Sequence, residues 1–143
     1  MGWTYERVYV VECKTPNHFY VGTTLREMFK RQHEHEDGWG SRWTKHHGFK
    51  RLLFNRLVPV GTSQTLEDDL TKHLMSIYGW GQVRGGKYVF VRSFRTEWLP
   101  PEFRALGPRD VLPLHLRPVS QLPAELGALV NRFEVFCGLE HAN

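Results

Sequence analysis

"ERVYVVECKTPNHFYVG", residues 6–22, decides how this chain folds. Glu6 to Lys14 is dense in valine, with one tyrosine, the composition of a β-strand. Thr15 to His18 holds proline and asparagine and reads as a turn. Phe19 to Gly22 reads as the returning strand, so the stretch predicts an antiparallel hairpin with a longer loop. Side chains alternate along a strand, which puts Tyr5, Arg7, Tyr9 and Val11 on one face.

Downstream of the hairpin the period changes. Thr23 or Thr24 can cap a helix starting near Leu25, with Leu25, Met28 and Phe29 as an apolar stripe. Arg31 and His35 lie four apart and share another face of it, and Gly38 is placed to end it. Phe49 to Val60 reads as a third strand. A second helix is expected with Thr65 as its cap and Glu67, Asp68 and Asp69 in its first turn, where the helix dipole favours acids. Leu66, Leu70, His73, Leu74 and Ile77 trace its stripe, and Gly79 ends it. Val83 to Phe94 holds a Gly-Gly turn and a short β-like run.

From Trp98 the character changes again. Six of the eight prolines fall within residues 98–123. A helical pattern follows, with Leu126, Leu129, Val130, Phe133 and Phe136 on one side. The order predicts an α+β fold: a small antiparallel three-stranded sheet flanked by helices, then a helical and loop extension. The expected organisation is a domain over residues 1–92 and a Pro-rich segment with a C-terminal helix over 93–143, packed on that domain.

Composition narrows the class. The chain has 143 residues, 41% hydrophobic, and no apolar run near the ~20 residues that span a bilayer, so no membrane association is expected. The N-terminus lacks the features of a secretory signal, and Cys13 and Cys137 are expected to be free thiols. Net charge is +4, and residues 1–99 carry 15 Lys/Arg against 10 Asp/Glu. That excess favours a polyanionic partner such as nucleic acid.

Several short motifs together carry a resemblance. "VYV" (8–10) and "YVG" (20–22), with ten residues between Tyr9 and Tyr20, resemble the two half-motifs of the GIY-YIG nuclease superfamily. "RQHEH" (31–35), "GWGSRWTKHH" (38–47), "LEDDLTK" (66–72) and "YGWGQVRGG" (78–86) follow in that family's order. The resemblance covers roughly residues 5 to 90. Arg7 replaces the first glycine of the family name, one extra residue lies between Gly22 and Arg31, and Gln82 stands where asparagine is commoner.

The resemblance implies a metal-dependent endonuclease acting on DNA, with Tyr9, Tyr20, Arg31, His35 and Glu67 as catalytic residues. Glu67 would hold one Mg²⁺ or Mn²⁺, a hard cation that needs few carboxylates. Its plainer reading is a first-turn acid, with Asp68 and Asp69 as rivals for the metal. Arg31 offers a phosphate a planar fork, and His35 a proton shuttle. Either tyrosine can be the base. His33 and His35 are two apart on a helix and cannot share a metal, which argues against a zinc cage.

Candidate nucleic-acid contacts are Gly22, Arg26, Lys30, Arg42, Trp43, Lys45, His46, His47, Gln82 and Arg84. Trp39, Trp43, Arg42, Lys45 and Lys50 interleave aromatics and cations as a stacking loop does, or else the tryptophans pin that loop. The alternative function is a non-catalytic DNA- or RNA-binding module on the same scaffold. Whether the DNA is single-stranded, duplex or branched stays open, as does a homodimer or protein partner through the C-terminal segment. The compartment expected is the cytoplasm, or wherever the DNA lies, nucleoid or nucleus.

Overall fold

A computed structural model describes residues 5–25, 28–37, 40–88, 99–111 and 115–141, without the side chains of 28, 29 and 133–141. Strand β1 (Tyr5–Cys13) is central, because both of its faces carry residues that must be buried. Val8 and Val10 point to one side and Tyr9 and Val11 to the other, all four with essentially no exposure. Strand β2 (Phe19–Thr24) pairs antiparallel to β1, with Tyr9 opposite Gly22 and Val10 opposite Val21. Strand β3 (Phe49–Pro59) pairs antiparallel on the other edge, its register slipping between Val10 and Val11 and again between Glu12 and Cys13.

The sheet has four strands, not the three expected. Val83–Gly85 forms β4, which runs parallel to β2, giving a mixed sheet in the order β3-β1-β2-β4. Three residues are too few for a hydrophobic period to show in the sequence, and only the partner strand makes them a strand. Gly85 hydrogen-bonds Tyr88 in both directions, closing the Gly86–Lys87 turn. Gly86, at φ 53°, takes the left-handed conformation that glycine favours.

Helix α1 spans Met28–Glu36, and short helix α2 spans Arg42–His47. Leu25, expected in α1, is a bend outside it. Thr23 and Thr24 belong to β2, while Arg26 and Gly38 lie outside the described residues. The stretch around His46 and His47, read as a loop, is helical, because Ser41 caps it: its side chain accepts from Thr44 N at 3.0 Å.

Helix α3 spans Val60–Tyr78 and starts at Pro59, six residues before the expected cap Thr65. Glu67 therefore sits inside the helix and is not a first-turn acid. Leu66, Leu70, Leu74 and Ile77 face Val8, Val10, Phe19 and Val21 in one core. Each such side chain contributes about 1.5–3 kcal/mol by leaving water. His73, expected on that stripe, is half-buried and pairs with Glu125 at 2.9 Å.

Helix α4 (Leu122–His141) places Leu122, Leu126 and Val130 in the same core, together with Leu99 and Phe103. Arg117 and His73 both pair with Glu125, and Arg56 donates to Asn131, so polar contacts tie α4 to α3 and β3. The apolar side of α4 from Leu122 to Val130 is thus used within the chain, while the side chains of Phe133 and Phe136 lie outside those described. The boundary expected at residue 92 lies outside the described residues. Among the described residues, no helix is long and apolar enough to cross a membrane. Cys13 is a buried free thiol.

Candidate active site

The face of the sheet opposite α3 carries Tyr9, and α1 lays Arg31 and His35 against it. One helical turn separates the two, so both reach the same phenol. Arg31 Nε donates to Tyr9 Oη at 3.0 Å, and His35 Nε2 lies 2.8 Å from the same oxygen. The Tyr20 ring packs 6.3 Å from Tyr9 and 5.6 Å from His35.

The direction of the hydrogen bonds follows from Arg31, which can only donate, and so makes Tyr9 Oη an acceptor at that end. Thr44 Oγ1 donates to the Ser41 carbonyl at 3.1 Å, an oxygen that can only accept. Thr44 Oγ1 lies 3.0 Å from Ser41 Oγ and 2.8 Å from His35 Nδ1, and it accepts from Nδ1 in the arrangement in which Tyr9, whose oxygen takes the Arg31 N–H, donates to His35 Nε2. Burial, with the Arg31 charge second, lowers the His35 pKa to about 4, so the imidazole is neutral near pH 7. Its Nε2 then accepts, and the Tyr9 hydroxyl donates to it. A polarised chain runs from Arg31 through Tyr9 and His35 to Thr44.

Gly22 makes the room for this chain. A Cβ there would sit 2.5 Å from Tyr9 Oη and 2.9 Å from Tyr20 Cε2. The space is filled by Tyr9, so Gly22 seats a phenol and does not serve as a contact for nucleic acid. Gly40 plays the same part for His35, because a Cβ at Gly40 would overlap that ring. Gly22→Ala should therefore push Tyr9 from Arg31 and His35, destabilise the fold by about 1–3 kcal/mol through overpacking, and remove any activity of the site. Thermal melts and activity of that variant check it together; an unchanged melt would contradict the geometry.

Glu67 approaches from α3. It accepts from Gly86 N at 3.0 Å and from the Thr23 hydroxyl. Its charge reaches both phenols and raises both. Burial above all, then the neighbouring Asp68 and Glu6 charges against two donated hydrogen bonds, raises its own pKa to about 7. Among the described residues, no cation pairs with it. Asp68, its rival, accepts from Lys87 N at 2.9 Å, and Asp69 pairs with Lys72.

Burial also raises both tyrosines, with the other charges adding to it and Arg31 opposing it. For Arg31 burial opposes the charge, but the Tyr9 phenol and Glu34 outweigh it and the net shift is upward. Tyr9 is wholly enclosed, whereas Tyr20 is only half-buried.

Tyr9, Tyr20, Arg31 and His35 are thus gathered in one cluster, and Glu67, held by Gly86 and Thr23, lies close enough for its charge to act on both phenols. The nucleic-acid candidates divide. Lys30, Arg42, Lys45 and His46 are exposed, and Arg26 lies outside the described residues. Trp43 is 4% exposed, and Arg84, equally buried, stacks on its ring at 4.5 Å while donating to the carbonyls of Trp80 and Val83. Both are structural, and neither can stack a base or meet a phosphate from there. His47 packs between His18 and Trp43, at 4.3 and 4.2 Å. Gln82 donates to the Tyr78 carbonyl at 2.5 Å. Trp39 lies outside the described residues, but Trp43 pins α2 as the plainer reading has it.

No protein-family model, curated protein or solved structure matches this chain.

Two site residues escaped the sequence reading. Ser41 and Thr44 sit within a recognised motif, and their Ser-x-x-Thr spacing is a helix-cap signal, but a cap does not announce that its hydroxyl also orients a histidine.

Proposed function

We propose that this chain is an endonuclease of the GIY-YIG type, hydrolysing DNA phosphodiester bonds with one divalent cation. The observation that carries it is a cluster of two phenols, a guanidinium and a neutral imidazole from β1, β2 and α1, with a half-buried carboxylate of α3 acting on both phenols and paired with no cation among the described residues.

The donor set fits one hard cation. Glu67 is a half-buried carboxylate with an unfavourable charge that a cation would relieve. Mg²⁺ and Mn²⁺ accept one carboxylate with water and substrate phosphate as further ligands. Among the described residues, no group of three or more His, Cys, Asp or Glu is arranged for a metal. The bound cation would polarise the phosphate and offset the charge of the leaving oxygen.

The chain's own residues account for the rest. Arg31 binds a non-bridging oxygen of the scissile phosphate through its planar fork. Turning to the phosphate, it releases a lone pair on Tyr9, which is otherwise enclosed. A water attacking phosphorus passes its proton to that oxygen, and Tyr9 passes its own to His35 Nε2, which the Thr44 contact keeps open as acceptor. The new P–O bond forms as the bond to the leaving oxygen breaks, and that oxygen takes a proton from solvent. Tyr20, half-buried beside both, orients the water or the phosphate.

The test is plasmid nicking by the pure protein with Mg²⁺, Mn²⁺ or EDTA. Cleavage is expected only with the metals, and Arg31→Ala should lose about 10²–10³-fold while keeping a cooperative melt. Binding without cleavage under any metal would show the non-catalytic module instead.

A further inference from the structure

We infer that the strip of sheet beside the site, Arg7 with Tyr5 and Leu57, holds the unpaired DNA strand that flanks the scissile phosphate; this rests on the nuclease reading above. Alternation puts Tyr5, Arg7 and Tyr9 on one face of β1. The register sets Asn55 opposite Tyr9 and Leu57 opposite Arg7, so β3 adds these two to the same face. Exposure climbs along the strip: Tyr9 is 0% exposed, while Leu57 is 50% and Tyr5 53%.

Arg7 is aimed but not neutralised. Its Nη1 donates to Asn55 Oδ1 at 3.0 Å, an amide that holds the guanidinium without cancelling its charge. Among the described residues, no carboxylate pairs with it. The acid next to it in the chain, Glu6, points to the opposite face and bonds Ser63. Arg7 lies two residues from Tyr9, about 7 Å along the strand, within reach of a phosphate next to the one that Arg31 would hold.

Tyr5 and Leu57 each leave about half of their surface open to solvent. An exposed aromatic ring and an aliphatic side chain beside an uncancelled guanidinium suit base stacking next to a backbone contact. Stacking on Tyr5 needs an open base face, which a single strand, a flap or a frayed end offers and an intact duplex does not. The positive charge of residues 1–99 favours the same occupant.

The experiment is fluorescence anisotropy with a labelled single-stranded oligonucleotide and its blunt duplex, over a range of salt, using the full chain in EDTA. Arg7→Ala should weaken single-strand binding about tenfold and lower the salt slope by about 0.7, the value for one phosphate contact on a single strand. Tyr5→Ala should cost about 5–100-fold on the single strand with the slope unchanged, and leave the duplex unaffected. Equal losses on both substrates, or wild-type binding by both variants, would overturn the strip as a strand site, the second result leaving it to a protein partner. If wild type binds no oligonucleotide at low salt, the nuclease reading falls with it. If wild type binds and cleaves with Mg²⁺ while both variants match it, the strip alone falls.

Discussion

Glu67→Gln should abolish metal-dependent cleavage, by at least ~10³-fold, and yet leave the protein more stable above pH 7. The two effects have one cause. Folded Glu67 titrates near 7 against an ordinary 4.5, because the fold buries it. Between those values the folded state holds a proton that the unfolded state has lost. Stability is therefore fullest below about 4.5 and falls as pH rises to 7. Glutamine carries no charge to bury, so at pH 8 the variant should melt higher, by roughly 2 kcal/mol once partial exposure is allowed for. At pH 4.5 the difference should vanish. Mg²⁺ should raise the melting temperature of wild type, by mass action on the folded state, and leave the variant unmoved. Because the ion must displace the Glu67 proton, its apparent affinity should weaken below pH 7, approaching tenfold per pH unit. Thermal melts across pH, with and without Mg²⁺, need no nuclease assay. A variant that cleaves like wild type would remove Glu67 from the chemistry.

Tyr9→Phe is the second large effect. Phenylalanine keeps the ring against Gly22 and deletes only the oxygen that joins Arg31 to His35. Activity should fall about 10²–10⁴-fold, because the water loses its route to His35. Stability should fall by about 1–3 kcal/mol, since His35 Nε2 is left buried without a donor. Tyr20→Phe should act differently, raising KM more than it lowers kcat, because Tyr20 is the open phenol. Steady-state kinetics of the two variants side by side separates the roles. Equal losses in kcat would return the choice of base to the two tyrosines alike.

The hairpin and the core face of α3 were legible because each has a period, whereas the stripe expected of α1 was not met at Leu25, which is exposed outside the helix. Valines at alternate positions announce β1, and Leu66, Leu70, Leu74 and Ile77 announce α3 whatever their partners. Helix ends were less legible. Val60–Gln64 carries no strong helix signal, and its helical state comes from continuing directly out of β3 at Pro59 and from Ser63 bonding Glu6. Trp43 and Arg84 looked like a nucleic-acid grip because an aromatic beside a cation suits a stacking surface and a buried pair equally. Only packing tells the two apart.

What the order of residues alone determined is the kind of element at each place and which residue types could do phosphate chemistry: phenols on a hairpin, a guanidinium and an imidazole one turn apart on a helix. What only the tertiary structure decided is everything that depends on neighbours remote in the chain. The fourth strand exists because β2 offers it a partner. Glu67 stands out from Asp68 because α3 turns it towards Thr23 and Gly86. His35 presents Nε2 as an acceptor because its one N–H, at Nδ1, faces Thr44. Periodicity is a local property of a sequence, whereas burial, hydrogen-bond direction and proton affinity are set by whichever atoms the fold brings within a few ångströms.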